Sequence, residues 1–266
     1  MEHTELERRL FDACRSIGPM VVAFSGGVDS ALLAVAAHRA LPGDAWSVTA
    51  DSASLASGEL EHCRRFATDH GLSWESVSTD ELGDERYLAN DGDRCFWCKS
   101  ALMDQLAPIA SAREATVVLG VNVDDLDDHR PGQRAAAERG ARFPLVDAGF
   151  GKTEIRAVAR AWGLTVWDRP AMPCLSSRIP YQTPVTVGVL SRIDRAELVL
   201  RGIGFDDVRV RHHDDTARIE VPADRVSELA AVAHRIVPEF ERLGYRYVTV
   251  DLAGLRSGNL NSALQR

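Results

Sequence analysis

The most constraining feature of the sequence is a glycine turn between an apolar segment and a helix-forming run. Residues 20–24 read Met-Val-Val-Ala-Phe, residues 25–30 read Ser-Gly-Gly-Val-Asp-Ser, and residues 31–37 are alanine, leucine or valine. This order predicts a buried strand, a tight turn and a helix. The N–H groups of such a turn and the positive end of the helix surround one point, which favours a bound anion. The alternative, an ordinary turn with a serine N-cap, fits the full six-residue pattern less well.

Each residue of the turn fits a role in phosphate binding. Gly26 and Gly27 let the backbone approach a ligand because they lack a Cβ atom. The hydroxyls of Ser25 and Ser30 are donors for phosphate oxygens, and Asp29 is a candidate ligand for a Mg²⁺ ion that neutralises a pyrophosphate.

Strands and helices alternate through the first part of the chain, which predicts an α/β fold with a doubly wound, mostly parallel sheet. Ligands of such sheets bind at the carboxyl ends of the strands. We therefore expect the loops after Phe24, Ala50 and Gly120 to share one pocket. The expected strands are 20–24, 45–50, 73–78 and 116–120, and the expected helices are 5–17, 31–37, 58–70, one after Cys98 and one from Thr153.

The pattern changes after a connection that holds four of the eleven prolines, at positions 170, 173, 180 and 184. Beyond it, the sequence predicts a smaller α+β domain with a hairpin at residues 213–216. Its expected elements are helices at 187–202 and 223–243 and strands at 208–212, 217–221 and 245–252. We therefore expect two domains, residues 1–183 and 184–266.

Composition excludes several classes of protein. The chain of 266 residues has 45% hydrophobic residues, five cysteines and a net charge of −8, which argues against disorder and against a secreted disulfide scaffold. The acidic balance disfavours a partner bound mainly through its phosphates, such as a nucleic acid. The first residues are mixed in charge and no apolar run of about 18 residues occurs, so we expect no signal peptide, no membrane span and a cytoplasmic location.

The five cysteines divide into two groups. Cys14 and Cys63 lie at helical spacing among apolar residues, where a thiol behaves as a small core hydrophobe. Cys95, Cys98 and Cys174 lie beside basic residues in segments that we expect to be loops. Three thiolates with one open position suit an iron–sulfur cluster or a zinc ion, and a thiol pair also suits persulfide transfer.

The string Ser25-Gly26-Gly27-Val28-Asp29-Ser30 resembles the PP-loop of the ATP pyrophosphatase superfamily, and it differs from a Walker A loop because it has no lysine. In that superfamily, ATP is split into AMP and pyrophosphate, and AMP activates an oxygen of the substrate. The resemblance therefore implies adenylylation.

The chain as a whole resembles the LarE family of ATP-dependent sulfur transferases, which act in maturation of the lactate racemase cofactor. The family adenylylates the carboxylates of a pyridinium biscarboxylic acid mononucleotide and converts them to thiocarboxylates. The similar strings are the PP-loop, 94–99, 120–125, 128–132, 152–156, 174–181, 208–211, 217–220 and 247–252.

Members of the LarE family differ in their source of sulfur. One type sacrifices a single cysteine and leaves dehydroalanine, and the other holds a four-iron cluster with a C-x-x-C pair and a later cysteine. This chain is more similar to the cluster type, which implies that Cys95, Cys98 and Cys174 are cluster ligands.

The resemblance also suggests roles at the strand ends. Asp51 and Ser52 match the place where the superfamily holds adenine through backbone groups, although a simple turn is an equal alternative. Gly120 and Asp124 end the apolar strand over the same pocket, and Asp124 is either a second Mg²⁺ ligand or part of a solvated acidic loop. Lys152 matches lysines that reach the ATP phosphates.

The remaining candidates concern the mononucleotide. Arg178 is a candidate clamp for leaving-group charge, and Ser177 beside it is a candidate substrate contact. Arg209 and Arg211 alternate on one strand and suit a phosphate and a carboxylate, or else form a ladder of salt bridges. The other two candidates have simple alternatives: Glu197 matches an acidic family position or lies on a solvated helix face, and Trp97 stacks on the pyridinium ring or covers the cysteines.

Three rival functions share part of these features. A tRNA thiolase has the same loop and sulfur chemistry, but a sequence pI of about 5.5 counts against a polyanionic substrate. An amide-forming synthetase needs no cysteine trio, and a nucleotide-sensing regulator with structural zinc would bind ATP without turnover. We therefore expect an enzyme that uses ATP, Mg²⁺, an iron–sulfur cluster and a sulfide donor, and that forms a homo-oligomer.

Overall fold

The computed structural model describes residues 2–126 and 131–256. These residues form two compact units. The first contains residues 2–52, 58–81, 95–126 and 131–172, and the second contains 53–57, 82–94 and 173–256. Residues 127–130, which include part of the acidic loop and of the motif at 128–132, lie outside the described residues.

The first unit is built on a four-stranded sheet in the order β3-β2-β1-β4. Neighbouring strands in this sheet are all parallel, so their carboxyl ends lie along one edge. Because β1 lies between β2 and β4, the three segments that follow these strands are neighbours. The expected parallel α/β fold is confirmed. The strands are β1 (Met20–Ala23), β2 (Ala45–Asp51), β3 (Trp74–Ser78) and β4 (Thr116–Leu119).

Helices surround this sheet, and the side chains of β1 show that both of its faces are covered. Met20 and Val22 are buried in one core cluster, and Val21 is buried in another. Alternate residues of a strand point to opposite faces, so each face packs on its own apolar layer. The helices of the first unit are α1 (Glu2–Ile17), α2 (Val28–Ala40), α3 (Glu59–Asp69), α5 (Arg94–Ala112), α6 (Pro131–Glu138), α7 (Pro144–Asp147) and α8 (Lys152–Ala161). Helix α4 (Glu85–Leu88) precedes α5 in the chain and belongs to the second unit.

The second unit has a three-stranded sheet in the order β5-β6-β7. The predicted hairpin is confirmed: β5 (Arg209–His213) and β6 (Thr216–Glu220) pair antiparallel, and Asp214 in the turn has φ 52°. Strand β7 (Tyr247–Val250) adds to β6 in parallel. Helix α9 (Val187–Arg201) precedes the hairpin, and the 3₁₀ turn Leu175–Arg178 lies in the proline-rich connection.

Two predicted helices differ from the structure. The helix expected at 223–243 is divided into a 3₁₀ turn (Ala223–Arg225), α10 (Val226–Ala231) and α11 (Ala233–Arg242). At Val232 the backbone bonds to Leu229 and Arg235 have 3₁₀ spacing, while Leu229 and Ile236 still enter one core. Hydrophobic periodicity continues through the break and so cannot reveal it.

Among the described residues, no helix is both long and apolar enough to cross a bilayer.

The second correction concerns the C-x-x-C pair. We expected a loop followed by a helix after Cys98, but α5 already begins at Arg94. No glycine or proline interrupts residues 94–99, so these residues can be helical. The Ser100 hydroxyl donates to the carbonyl of Phe96, four residues earlier, as is common within a helix. Cys95 and Cys98 are therefore three residues apart on one helix and share a face.

Candidate nucleotide site

The glycine turn joins β1 to the start of α2. Gly26 has φ +74°, a left-handed conformation that favours glycine. Gly27 is the N-cap of α2 and brings no side chain to cap it. The N–H groups of the first helical turn have no carbonyl partner within the helix, so the turn has the form of an anion-binding site.

The two serines of the turn hold each other. The Ser30 hydroxyl donates to the carbonyl of Gly27 at 3.0 Å and accepts from the backbone N–H of Ser25 at 3.2 Å. The two hydroxyls lie 3.1 Å apart. Ser30 is buried and Ser25 is exposed, so the pair links the base of the turn to its solvent side.

The end of β4 packs directly against this turn. A Cβ atom placed on Gly120 would lie 2.8 Å from the backbone nitrogen of Ser30, which leaves no room for any other residue. Asn122 then caps a short 3₁₀ turn (Val123–Asp125) by accepting from the backbone N–H of Asp124. The expected convergence of the loops after β1 and β4 is thus present within the first unit.

Lys152 and Asp124 complete this edge of the sheet. The backbone N–H of Lys152, the first residue of α8, donates to Asp124 Oδ2 at 2.7 Å. The Lys152 ammonium forms an ion pair with Asp29 of the turn. The side chains are 45% and 21% exposed, respectively, so a ligand has access to the pair. Lys152 therefore connects a carboxylate of the glycine turn to a carboxylate that follows β4.

The end of β2 is the third wall of the site. Thr49 donates to the carbonyl of Phe24 at 2.8 Å, which ties β2 to the start of the turn. Asp51 is exposed at the end of the strand, and its carbonyl accepts from Thr79. Ser52 follows the strand and is partly buried. Both residues lie at the carboxyl end of β2, which is the neighbour of β1 in the sheet.

Two side chains contact the carbonyl oxygen of Gly26 in the turn, and neither of them was identified from the sequence. His62 Nε2 lies 3.3 Å from the carbonyl oxygen of Gly26, and Arg169 Nη1 lies 3.5 Å from the same atom. Arg169 also donates to Glu59 at 2.7 Å. No motif in the sequence marks them, because they come from the middle of α3 and from a proline-rich segment.

Cys14 and Cys63 are core residues, as predicted. Both are fully buried in the same apolar cluster. Burial raises the pKa of Cys14 to about 12 and that of Cys63 to about 11, which keeps both thiols protonated. All five cysteines lie in the described part of the chain, and none forms a disulfide.

The other cysteines are accessible to solvent but belong to different units. Cys95 is exposed and Cys98 partly exposed in the first unit, and Cys174 is partly exposed in the second. Across residues 2–126 and 131–256, no three His, Cys, Asp or Glu side chains form a group placed to hold a metal ion. Beside Cys98, the Trp97 ring packs edge-on against Phe96 at 4.9 Å.

The segment that carries Cys174 is fixed within the second unit by buried charges. Arg178 is completely buried, donates to the carbonyl of Cys174 at 3.1 Å and pairs with Glu197 at 2.8 Å. Glu197 also accepts from Arg201 and from the backbone N–H of Val210. Glu197 is therefore a buried centre of the network, and the alternative of a solvated helix face is wrong.

The two arginines of β5 are also buried. Arg211 pairs with Glu220 at 2.8 Å and donates to the carbonyl of Ser177 at 2.7 Å. Burial, with the positive charge of Arg178 as the next cause, lowers the pKa of Arg209 to about 10. Arg209 and Arg211 thus form salt bridges, which is one of the two interpretations made from sequence. These salt bridges do not exclude the other interpretation, in which the two arginines bind a phosphate and a carboxylate.

A parallel sheet that presents a glycine turn, a lysine and two carboxylates at adjacent strand ends defines an α/β nucleotide-binding protein of the PP-loop class. No family model matches the chain. The chain is 37% identical over 259 residues to the pyridinium-3,5-bisthiocarboxylic acid mononucleotide synthase of Lactiplantibacillus plantarum, covering 97% of this chain and 94% of the relative. The chain belongs to the LarE family.

Two further relatives are named as uncharacterized proteins. One, from Synechocystis, is 44% identical over 249 residues, which are 92% of this chain and 93% of the relative. The other, from Methanocaldococcus jannaschii, is 26% identical over 239 residues, with coverage of 90% and 91%. The similarity in each case extends through both units.

Proposed function

We propose that this chain is an AMP-forming sulfur transferase that converts the carboxylates of pyridinium-3,5-biscarboxylic acid mononucleotide to thiocarboxylates. The observation that carries the proposal is the convergence of the glycine turn, Asp29, Asp124 and Lys152, in a chain similar over its length to a synthase of the bisthiocarboxylic product. The turn suits a polyphosphate, and the product name supplies the substrate class.

The reaction has two balanced steps for each carboxylate. A carboxylate oxygen attacks the α-phosphorus of ATP, the bond to the β-phosphate oxygen breaks, and pyrophosphate leaves. Hydrosulfide, or a sulfur donor equivalent to it, then attacks the acyl carbon of the adenylate. AMP leaves with the electron pair of the C–O bond, and the thiocarboxylic acid loses its proton.

The residues at the strand ends have two roles, binding of the triphosphate and binding of Mg²⁺. Backbone groups of the turn and Lys152 hold the triphosphate, and their positive charge stabilises the pyrophosphate as it leaves. Asp29 and Asp124, which both contact Lys152, suit a Mg²⁺ ion because carboxylate oxygens are its preferred protein ligands. The proposed ATP contacts are Ser25, Gly26, Gly27, Asp29, Ser30, Asp51, Ser52, Gly120, Asp124 and Lys152.

Substrate anions are assigned to the second unit. Arg178, Arg209 and Arg211 are buried there at 8% side-chain exposure or less, and their carboxylate partners are Glu197, Glu220 and the more exposed Asp207. A cluster of guanidinium groups suits a phosphate or a carboxylate. We assign the mononucleotide to Arg178, Arg209 and Arg211, with Ser177 and Glu197 as further predicted contacts in this unit. Trp97, a residue of the first unit, stays a candidate contact predicted from sequence.

The sulfur source is assigned to Cys95, Cys98 and Cys174. Two thiols one helical turn apart on α5 and a third accessible thiol are the donor set that a four-iron cluster takes, with one iron left open. Such a cluster would supply an exchangeable sulfide at that iron. The homo-oligomeric state and the identity of the sulfide donor stay predictions.

Product formation tests the substrate. With ATP, Mg²⁺ and sulfide present, we expect AMP and pyrophosphate to form only when the pyridinium biscarboxylate mononucleotide is added. Formation of AMP with tRNA and not with the mononucleotide would identify a tRNA thiolase instead. Binding of ATP without turnover under every condition would favour a nucleotide sensor.

Metal analysis tests the cluster. Protein purified without oxygen should be brown and hold iron and sulfide, and Cys98→Ala should lose both together with sulfur transfer. Cys14→Ala is the control, because it removes a buried thiol outside the trio. A colourless zinc protein with full activity contradicts the assignment, and conversion of Cys174 to dehydroalanine would show the sacrificial type.

A further inference from the structure

The carbonyl of Gly26 receives two donors that the proposed reaction does not use. His62 approaches it at 3.3 Å and Arg169 at 3.5 Å. Both side chains belong to the first unit, as does the turn. Because the acceptor is a carbonyl oxygen, His62 must carry its proton on Nε2.

The direction of this carbonyl determines the direction of a phosphate donor. A trans peptide is planar, and its C=O and N–H point in opposite directions. When two side chains hold the Gly26 oxygen on one side of the turn, the N–H of Gly27 is held toward the other side. Glycine at position 26, with φ +74°, has no Cβ to limit rotation of this peptide plane.

The surroundings keep both donors in place. Arg169 uses a second nitrogen to bind Glu59, whose side chain is 11% exposed, so the guanidinium is held from two sides. Burial, and next the charge of Arg169, lowers the pKa of His62, although Glu59 opposes the shift. The neutral imidazole is therefore the form that donates. A Cβ on Gly26 would lie 2.9 Å from both Cys63 Sγ and His62 Cδ2.

We propose that His62 and Arg169 are positioning residues for the ATP triphosphate, which act by fixing the Gly26–Gly27 peptide with its N–H directed to the phosphates. The inference rests on the proposed use of ATP. It assigns the two residues to phosphate recognition and gives them no contact with adenine or with the mononucleotide.

Ligand affinity provides the test. Binding of α,β-methylene-ATP, inorganic pyrophosphate and AMP is measured by calorimetry with excess Mg²⁺ for the full chain and its variants. His62→Leu should weaken binding of the analogue and of pyrophosphate by about fivefold, as expected for one lost hydrogen bond. AMP affinity should change by less than about twofold, since AMP lacks the pyrophosphate group.

Conservative variants separate positioning from folding. His62→Gln keeps an N–H donor and should restore most of the affinity lost in His62→Leu. Arg169→Lys keeps the charge, but its single nitrogen cannot bind Glu59 and Gly26 in the same way, so it should weaken pyrophosphate binding and not AMP binding. If His62→Leu does not fold, Arg169→Lys tests the proposal in its place.

The outcomes distinguish the two proposals. If the parent chain binds neither the analogue nor pyrophosphate, the proposed function fails. If the parent binds both and the folded variants bind them with parental affinity, the positioning inference is overturned. Equal losses for AMP and for pyrophosphate would also overturn it, because they would indicate a general change in the site.

Discussion

Glycines at and beside the turn after β1 matter because a side chain there would displace neighbouring atoms. A Cβ on Gly120 would lie 2.8 Å from the backbone nitrogen of Ser30 and 3.0 Å from the backbone carbon of Asp29. Neither atom is the end of a flexible side chain, so the start of α2 itself would have to move. The carboxyl end of β4 thus sets the position of the helix that presents the first N–H groups.

Gly120→Ala should weaken binding of an ATP analogue and lower the free energy of unfolding by about 1–3 kcal/mol, the usual cost of overpacking. Gly188→Ala in α9 is the matched control, because its Cβ would meet no atom closer than 3.9 Å. Calorimetry and urea unfolding measure the two effects. Unchanged nucleotide affinity in Gly120→Ala would show that the contact is not needed for the site.

Lys152→Met should separate activity from stability. The Lys152 side chain is 45% exposed in its pair with Asp29, and such pairs contribute about 1 kcal/mol or less. The rate of AMP formation should fall about a hundredfold or more, because charge on the leaving pyrophosphate loses a cation. Arg242→Met, which removes an exposed cation paired with Glu239, should leave that rate unchanged.

At the scale of elements, α9 is joined to its neighbours through one buried carboxylate. Glu197 contacts Arg178 in the 3₁₀ turn, Arg201 on its own helix and the backbone N–H of Val210 in β5. Its side chain has no exposure to solvent. The segment that carries Cys174 is thereby fixed to both the helix and the sheet of the second unit.

Glu197→Gln should destabilise the protein by about 3–5 kcal/mol, because it leaves the charge of Arg178 buried without its carboxylate. The double variant with Arg178→Met should recover part of this loss. Urea unfolding is the measurement, and Glu239→Gln on the exposed face of α11 is the control. A single variant as stable as the parent would show that water or a neighbouring group compensates the charge.

Most elements with a continuous apolar run were predictable from sequence, and the partners of most buried charges were not. The strand and helix around the glycine turn were found because each carries a continuous apolar run. The helical position of Cys95 was missed because polar residues precede it. A solvated position was considered for Glu197 because a single sequence does not show which carboxylate pairs with a buried arginine. The contacts of His62 and Arg169 could not be predicted because they join segments that are distant in the sequence.

At the scale of the whole molecule, burial gives several histidines a common response to acid. It is the main cause that lowers the pKa of each of them, so the folded state disfavours their protonation. The residues are His38, His62, His70, His212 and His213.

The free energy of unfolding should therefore be highest above about pH 6.5 and fall as the pH is lowered toward 5. Below the unfolded pKa of about 6.5, the unfolded chain binds protons that the folded chain does not. Urea unfolding at several pH values tests this expectation. A stability that is constant or rises over this range would contradict it.

His38 provides a variant for the same experiment. Its Nδ1 lies 2.9 Å from the carbonyl of Ala34, and its Nε2 accepts from the N–H of Ser73 at 2.9 Å. A proton on Nε2 would abolish the second bond. His38→Gln should reduce the slope of stability against pH by up to about 1.4 kcal/mol per pH unit.

The interleaving of the two units has a consequence for synthesis on the ribosome. Residues 82–94 belong to the second unit but emerge before residues 95–172 of the first unit. Within that segment, Tyr87 contacts the Ser176 hydroxyl at 2.6 Å, and Asn90 donates to the carbonyls of Pro180 and Thr183. These partners are translated about ninety residues later, so the second unit cannot complete its fold until they have emerged.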